Sequence, residues 1–126
     1  MKNSPKYDLI VFGSTGFTGR LVAEYLQQNY GVTTELKWAM AGRDHDKLVS
    51  VRKQMGISES VDIIIADSED SSSMASLVQQ CKVVLTTVGP YQLYGEKLLA
   101  ACVEHGTGYL DLCGEPAWMH EMIAKY

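Results

Sequence analysis

The sequence predicts an α/β fold: a five-stranded parallel sheet of order 3-2-1-4-5 with helices on both faces. Three observations carry this prediction. Apolar runs without alternation, such as Leu9-Ile-Val-Phe12, are what strands covered on both faces require. Such runs alternate with stretches of helical period along all 126 residues. A glycine turn, Gly13-Ser-Thr-Gly16-Phe-Thr-Gly19, joins the first strand to the first helix, where a doubly wound sheet places its ligand loop. Right-handed crossovers leading away from that strand give the order.

Tyr7 to Phe12 reads as the first strand and Phe17 to Gln28 as the first helix, with Phe17, Leu21, Val22, Tyr25 and Leu26 on its inward face. A loop containing Gly31 leads to a second strand, Lys37 to Ala41. Asp44 caps a short helix whose Leu48, Val51 and Met55 turn inward. Val61 to Ala66, nearly all β-branched, is the third strand. The serines Ser71 to Ser73 open a helix with Met74, Leu77, Val78 and Cys81 on one face, and Val83 to Val88 follows as the fourth strand. Tyr94 to His105 is helical, burying Leu98, Leu99, Cys102 and Val103, and Gly106 ends it. Tyr109 to Leu112 is the fifth strand, and Met119 to Tyr126 begins a last helix.

The length fits one domain with one core. A net charge of −4 with three scattered histidines lacks the basic stripe of a nucleic-acid surface, so no nucleic-acid partner is expected. No run is long enough to cross a bilayer, and Met1-Lys-Asn-Ser-Pro5 has no apolar leader core, so a cytoplasmic protein is expected. Cys81, Cys102 and Cys113 are odd in number and without a CxxC pair; they read as reduced packing thiols, with no metal site.

The glycine turn suits a dinucleotide pyrophosphate. Near Gly13 the chain must turn tightly, near Gly16 a side chain would hold the phosphates away, and Gly19 lets the helix pack closely on the strand. Ser14, Thr15, Phe17 and Thr18 complete the loop, whose helix N-terminus offers N–H groups to an anion. The second strand is followed by Gly42-Arg43-Asp44. NAD binders place a carboxylate here for the ribose hydroxyls, whereas a guanidinium forks onto a 2′-phosphate, with Lys47 one turn on. NADP is therefore favoured, with NAD kept possible by the adjacent Asp44, which reads as a helix cap; the alternative is an exposed loop arginine. Asp67 ends the third strand, either beside an adenine ring or as a local cap. After the fourth strand, Val88-Gly89-Pro90 brings backbone close to the cofactor, and Tyr91 and Tyr94 shape the pocket or a domain interface. The Tyr-x-x-x-Lys pair of short-chain dehydrogenases is absent. Glu115 is placed either in the crevice or as a solvated first-turn carboxylate. No catalytic residue can be named.

Four segments together, Phe12 to Arg20, Ala41-Gly-Arg43, Val88-Gly-Pro-Tyr91…Tyr94-Gly-Glu96 and Tyr109-Leu-Asp-Leu-Cys-Gly-Glu-Pro116, resemble the saccharopine dehydrogenase-like oxidoreductases. Within them the chain is most similar to the saccharopine dehydrogenase-like proteins and the trans-acting enoyl reductases of lipid synthesis. The resemblance covers essentially the whole chain. It implies a Rossmann-type fold, NAD(P) binding by Gly13 to Thr18 and phosphate recognition by Arg43. Members of that family carry a second, substrate-binding α/β domain, so residues 1–126 read as the nucleotide-binding domain alone.

The expected function is hydride transfer between NADP(H) and an imine or enoyl group on a small-molecule or lipid-linked substrate held by the other domain. The short chain is expected to be inactive by itself and able to form homo-oligomers. The alternative is a non-catalytic NAD(P)-binding sensor of the atypical short-chain dehydrogenase type.

Overall fold

A computed structural model describes residues 4–31 and 35–126. Met1 to Asn3 of the segment read for a leader, and residues 32–34 of the loop after Gly31, lie outside the described residues. The elements run β1 (Tyr7–Phe12), α1 (Phe17–Asn29), β2 (Trp38–Gly42), α2 (His45–Gln54), β3 (Asp62–Ile65), α3 (Ser71–Val78), β4 (Cys81–Thr86), α4 (Tyr91–Tyr94), α5 (Glu96–His105), β5 (Gly108–Leu110) and α6 (Pro116–Lys125). The strands form one parallel sheet of order β3-β2-β1-β4-β5, as the crossover argument requires.

Strand period 2 divides the core between the two faces. Ile10 and Phe12 of β1 pack with Met74, Leu77 and Val78 of α3 and with Leu98, Ala101 and Cys102 of α5. Val11 packs on the other face with Ala23 and Leu26 of α1 and with Leu48 and Val51 of α2. Tyr91, Trp118 and Met122 make a third cluster joining α4 to α6.

The inward face of α1 differs from the sequence expectation. Phe17, Leu21 and Tyr25 are exposed, and Gly19, Ala23 and Leu26 face the sheet, with Val22 half-buried. The cause is the closeness of the contact. A Cβ added at Gly19 would land on the Gly13 carbonyl and 2.9 Å from Ser14 Cα, so the small side of the helix is the side that fits against β1.

Other boundaries shift for local reasons. Gln80 N–H bonds to the Leu77 carbonyl (3.1 Å) and closes α3, so Cys81 opens β4 instead of lying on the helix face. β4 thus begins and ends two residues before the expected Val83 to Val88. The helix expected over Tyr94 to His105 is two helices divided at Gly95, where an added Cβ would meet the Trp118 ring and the Tyr91 carbonyl, each at 2.8 Å. On α5, Val103 is exposed and Ala101 takes its place in the core. Gly106 ends α5 in the left-handed region, as expected. β5 is short, and α6 starts early because Pro116 suits a first helical turn. Among the described residues no helix is long and apolar enough to cross a membrane, and no acidic, histidine or cysteine cluster could hold a metal.

Candidate functional site: a crevice at the strand ends

The helix N-termini at the carboxyl end of the sheet are not alike. Asp44 caps α2 by accepting from Lys47 N–H, and Asp70 caps α3 by accepting from Ser72 and Ser73 N–H. α1 has glycine at its cap, no capping side chain and no acidic residue in its first turn. Its first N–H groups and positive dipole end therefore remain for an anion.

The glycine loop is held from below. Gly13, at φ 89°, donates its N–H to the Ala41 carbonyl (2.9 Å), and its carbonyl accepts from Gly16 N–H (3.1 Å). Ser14 is fully buried, its Oγ donating to the Val11 carbonyl at 2.7 Å, so its side chain fastens the turn and does not reach the crevice. Arg20 Nε donates to the Thr15 carbonyl (2.9 Å). Around this loop lies a crevice of about 270 Å³ lined by Gly13, Thr15, Arg43, Ser68, Val88 and Gly89, together with Phe12, Gly42, Ala66 and Tyr94. The segments following β1, β2, β3 and β4 thus meet at one place.

Gly16, Phe17 and Thr18 form the cap and first turn of α1 beside that crevice, with Phe17 projecting into solvent. Arg43 is exposed at the end of β2. Asp67 is not among the lining residues. Its Oδ1 accepts from Glu69 N–H (2.9 Å) and its own N–H donates to Ser73 Oγ (2.9 Å), so Ser68 provides the lining. Pro90 is exposed and forms the cap of α4.

Sequence reading missed Thr87. Its Oγ1 donates toward the Phe12 and Gly13 carbonyls (3.3 and 3.1 Å), tying β4 to the glycine loop across 74 residues. Tyr91, expected to shape the pocket or a domain interface, is not among the crevice's lining residues. The Tyr91 ring is buried; its hydroxyl donates to the Thr86 carbonyl and accepts from Leu112 N–H, both at 3.3 Å. Burial pushes this phenol's pKa up, so it stays protonated across neutral pH. Tyr94 does line the crevice. Glu115 is not among the crevice's lining residues; half-buried at the start of α6, it turns its carboxylate to the start of α4, accepting from Tyr91 N–H (2.6 Å) and Gln92 N–H (3.0 Å).

The family model for the saccharopine dehydrogenase NADP binding domain matches residues 9–126. The chain belongs to this family. It is 38% identical, over 95% of its length, to the saccharopine dehydrogenase-like oxidoreductase of Mus musculus. It is 40% identical, over 96% of its length, to a Mycobacterium tuberculosis protein bearing the name trans-acting enoyl reductase. The chain spans 30% and 28% of those proteins. Among solved structures, apo saccharopine dehydrogenase (L-Glu forming) from Saccharomyces cerevisiae shares the fold, with TM-score 0.66 and 17% identity over 83% of this chain and 21% of that one.

As an NADP-binding domain of this family the chain has a loop that fits a dinucleotide. A Cβ added at Gly16 would meet one atom within 4 Å, the Gly13 carbonyl oxygen at 3.6 Å. Packing does not demand glycine there. Open space above the uncapped helix end is what a phosphate needs. Gly89 is alike: an added Cβ would meet only ordinary contacts, the nearest at 3.6 Å on the Tyr91 ring.

Proposed function

We propose that residues 1–126 are the NADP(H)-binding domain of an oxidoreductase that moves hydride to or from an imine or enoyl group, the substrate being held by chain outside this domain. The observation that carries this reading is the convergence of the glycine loop, Arg43 and Val88–Gly89 on one crevice. The family's NADP-binding description and the oxidoreductase and enoyl reductase names of its relatives support it.

The first-turn N–H groups of α1 receive the pyrophosphate, and the Arg43 guanidinium forks onto the 2′-phosphate with Lys47 adding charge. Val88 and Phe12 keep water from one side, and Gly89 lets the ring end approach the backbone. Bound there, the nicotinamide supplies or accepts the hydride.

Calorimetric titration tests the phosphate assignment. Wild type is expected to bind NADPH at least about tenfold more tightly than NADH. Arg43→Ala is expected to lower NADPH affinity roughly tenfold to a hundredfold, since a charge-assisted contact contributes about 1.5–3 kcal/mol. NADH affinity stays unchanged. Equal wild-type affinities would contradict the reading.

A second reading, a non-catalytic NAD(P) sensor, draws on the crevice lining. Among the described residues that line it, Tyr94 alone is a proton donor of the usual acid–base kind, and the Tyr91 hydroxyl is committed to backbone. Both readings predict that this chain alone oxidises no NADPH with saccharopine-type imines or enoyl thioesters, because among the described residues the crevice has no second wall to hold the reacting carbon and exclude water. Substrate-dependent turnover by residues 1–126 would overturn that. Turnover by the complete gene product separates the enzyme from the sensor.

A further inference from the structure

We propose that Glu115 is a positioning residue for the ring-side loop Val88–Pro90, setting affinity for the nicotinamide half of the cofactor without touching it; this rests on the cofactor reading above. The loop is a three-residue span between two anchors. On one side Thr87 Oγ1 holds the Gly13 carbonyl at 3.1 Å, and Val88 N–H donates to Thr86 Oγ1 at 3.2 Å. On the other, the first two N–H groups of α4 enter the Glu115 carboxylate, one on each oxygen.

α4 has four residues, too few to hold its own start in place, and Pro90 offers neither an N–H nor a capping side chain. A carboxylate taking two backbone N–H groups is a charge-assisted, two-point clamp. It arrives from 23 and 24 residues further along the chain, so it ties the loop to the segment after β5. That segment is itself braced. Asp111 Oδ1 accepts from Cys113 N–H (3.0 Å), Asp111 Oδ2 accepts from Tyr109 Oη (2.7 Å), and Cys113 Sγ accepts from Glu115 N–H (3.4 Å). The Tyr91 hydroxyl adds a parallel link from the end of β4 to Leu112 N–H. Glycine loop, ring-side loop and post-β5 segment therefore form one connected frame. The phosphate end of the crevice rests on α1 and Arg43, outside the Glu115 clamp.

The test is Glu115→Gln, which keeps shape and one acceptor but turns an N–H₂ toward a backbone N–H. Two ligands are titrated, NADPH and 2′,5′-ADP, which lacks the nicotinamide half. The expected result is a loss of NADPH affinity of roughly tenfold with 2′,5′-ADP affinity unchanged. Amide hydrogen exchange should quicken at Tyr91 and Gln92 and stay as in wild type along β1. Equal loss of both ligands, or an unfolded variant, would make Glu115 a support of the whole fold and overturn the proposal, as would unchanged NADPH binding. Wild type that binds neither ligand would overturn the cofactor reading. In that event the exchange at Tyr91 and Gln92 still decides whether Glu115 holds the loop.

Discussion

Gly16→Val is expected to leave the chain folded and to remove NADP(H) binding. Gly16 has φ −75° and ψ 169°, extended backbone that a β-branched residue adopts readily. A Cβ there meets only the Gly13 carbonyl oxygen at ordinary distance, so the unliganded fold accepts valine. The bound state does not, because the isopropyl group fills the space over the α1 N-terminus that a pyrophosphate needs. The expected loss is a hundredfold or more, about 3 kcal/mol or greater. Circular dichroism checks the fold and calorimetry the binding. Tight binding by a folded variant would mean that the cofactor does not use this loop.

Gly19→Ala, three residues on, is expected to do the reverse and damage the fold itself. The added methyl would sit on the Gly13 carbonyl and within 3 Å of Ser14 Cα, and these are backbone atoms that cannot swing aside. α1 would have to lift from β1, opening the contact that buries Ala23 and Leu26. The expected cost is about 3–5 kcal/mol, in the range reserved for changes that force core elements apart. This corresponds to a fall in melting temperature of roughly 10–20 °C. Differential scanning calorimetry measures it; a shift below a few degrees would show that α1 does not lie as close to β1 as described. The pair distinguishes two glycines of one motif, one needed by the ligand and one by the protein.

Much of this was legible because it is written locally. Unbroken apolar strands, the glycine turn and right-handed crossovers lead directly to the sheet order found. The close packing at Gly19 and the cap at Asp44 follow from residue type and spacing alone. The face of α1 was not legible, since Phe17, Leu21 and Tyr25 make an apolar stripe as regular as the one that is buried. Periodicity locates stripes, and only the close approach of helix to strand selects the side with Gly19 and Ala23. The bonds made by Glu115 were not legible for a different reason. A side chain accepting from backbone N–H groups more than 20 residues away leaves no pattern in the sequence. Thr87 is the same kind of link over a longer span, and the bond from Leu112 N–H to the Tyr91 hydroxyl, across 21 residues, is equally non-local. The ends of the strands identify where a ligand goes; the bonds that hold those ends together emerge only with the fold.

Amide chemical-shift mapping shows whether the strand-end crevice is the cofactor site. The ¹⁵N-labelled chain is titrated with NADP⁺. Saturable shifts are expected at Gly13 to Gly19, Arg43 and Val88–Gly89, with the exposed face of α6 unmoved. Saturable shifts centred elsewhere, or none at millimolar NADP⁺, would contradict that assignment.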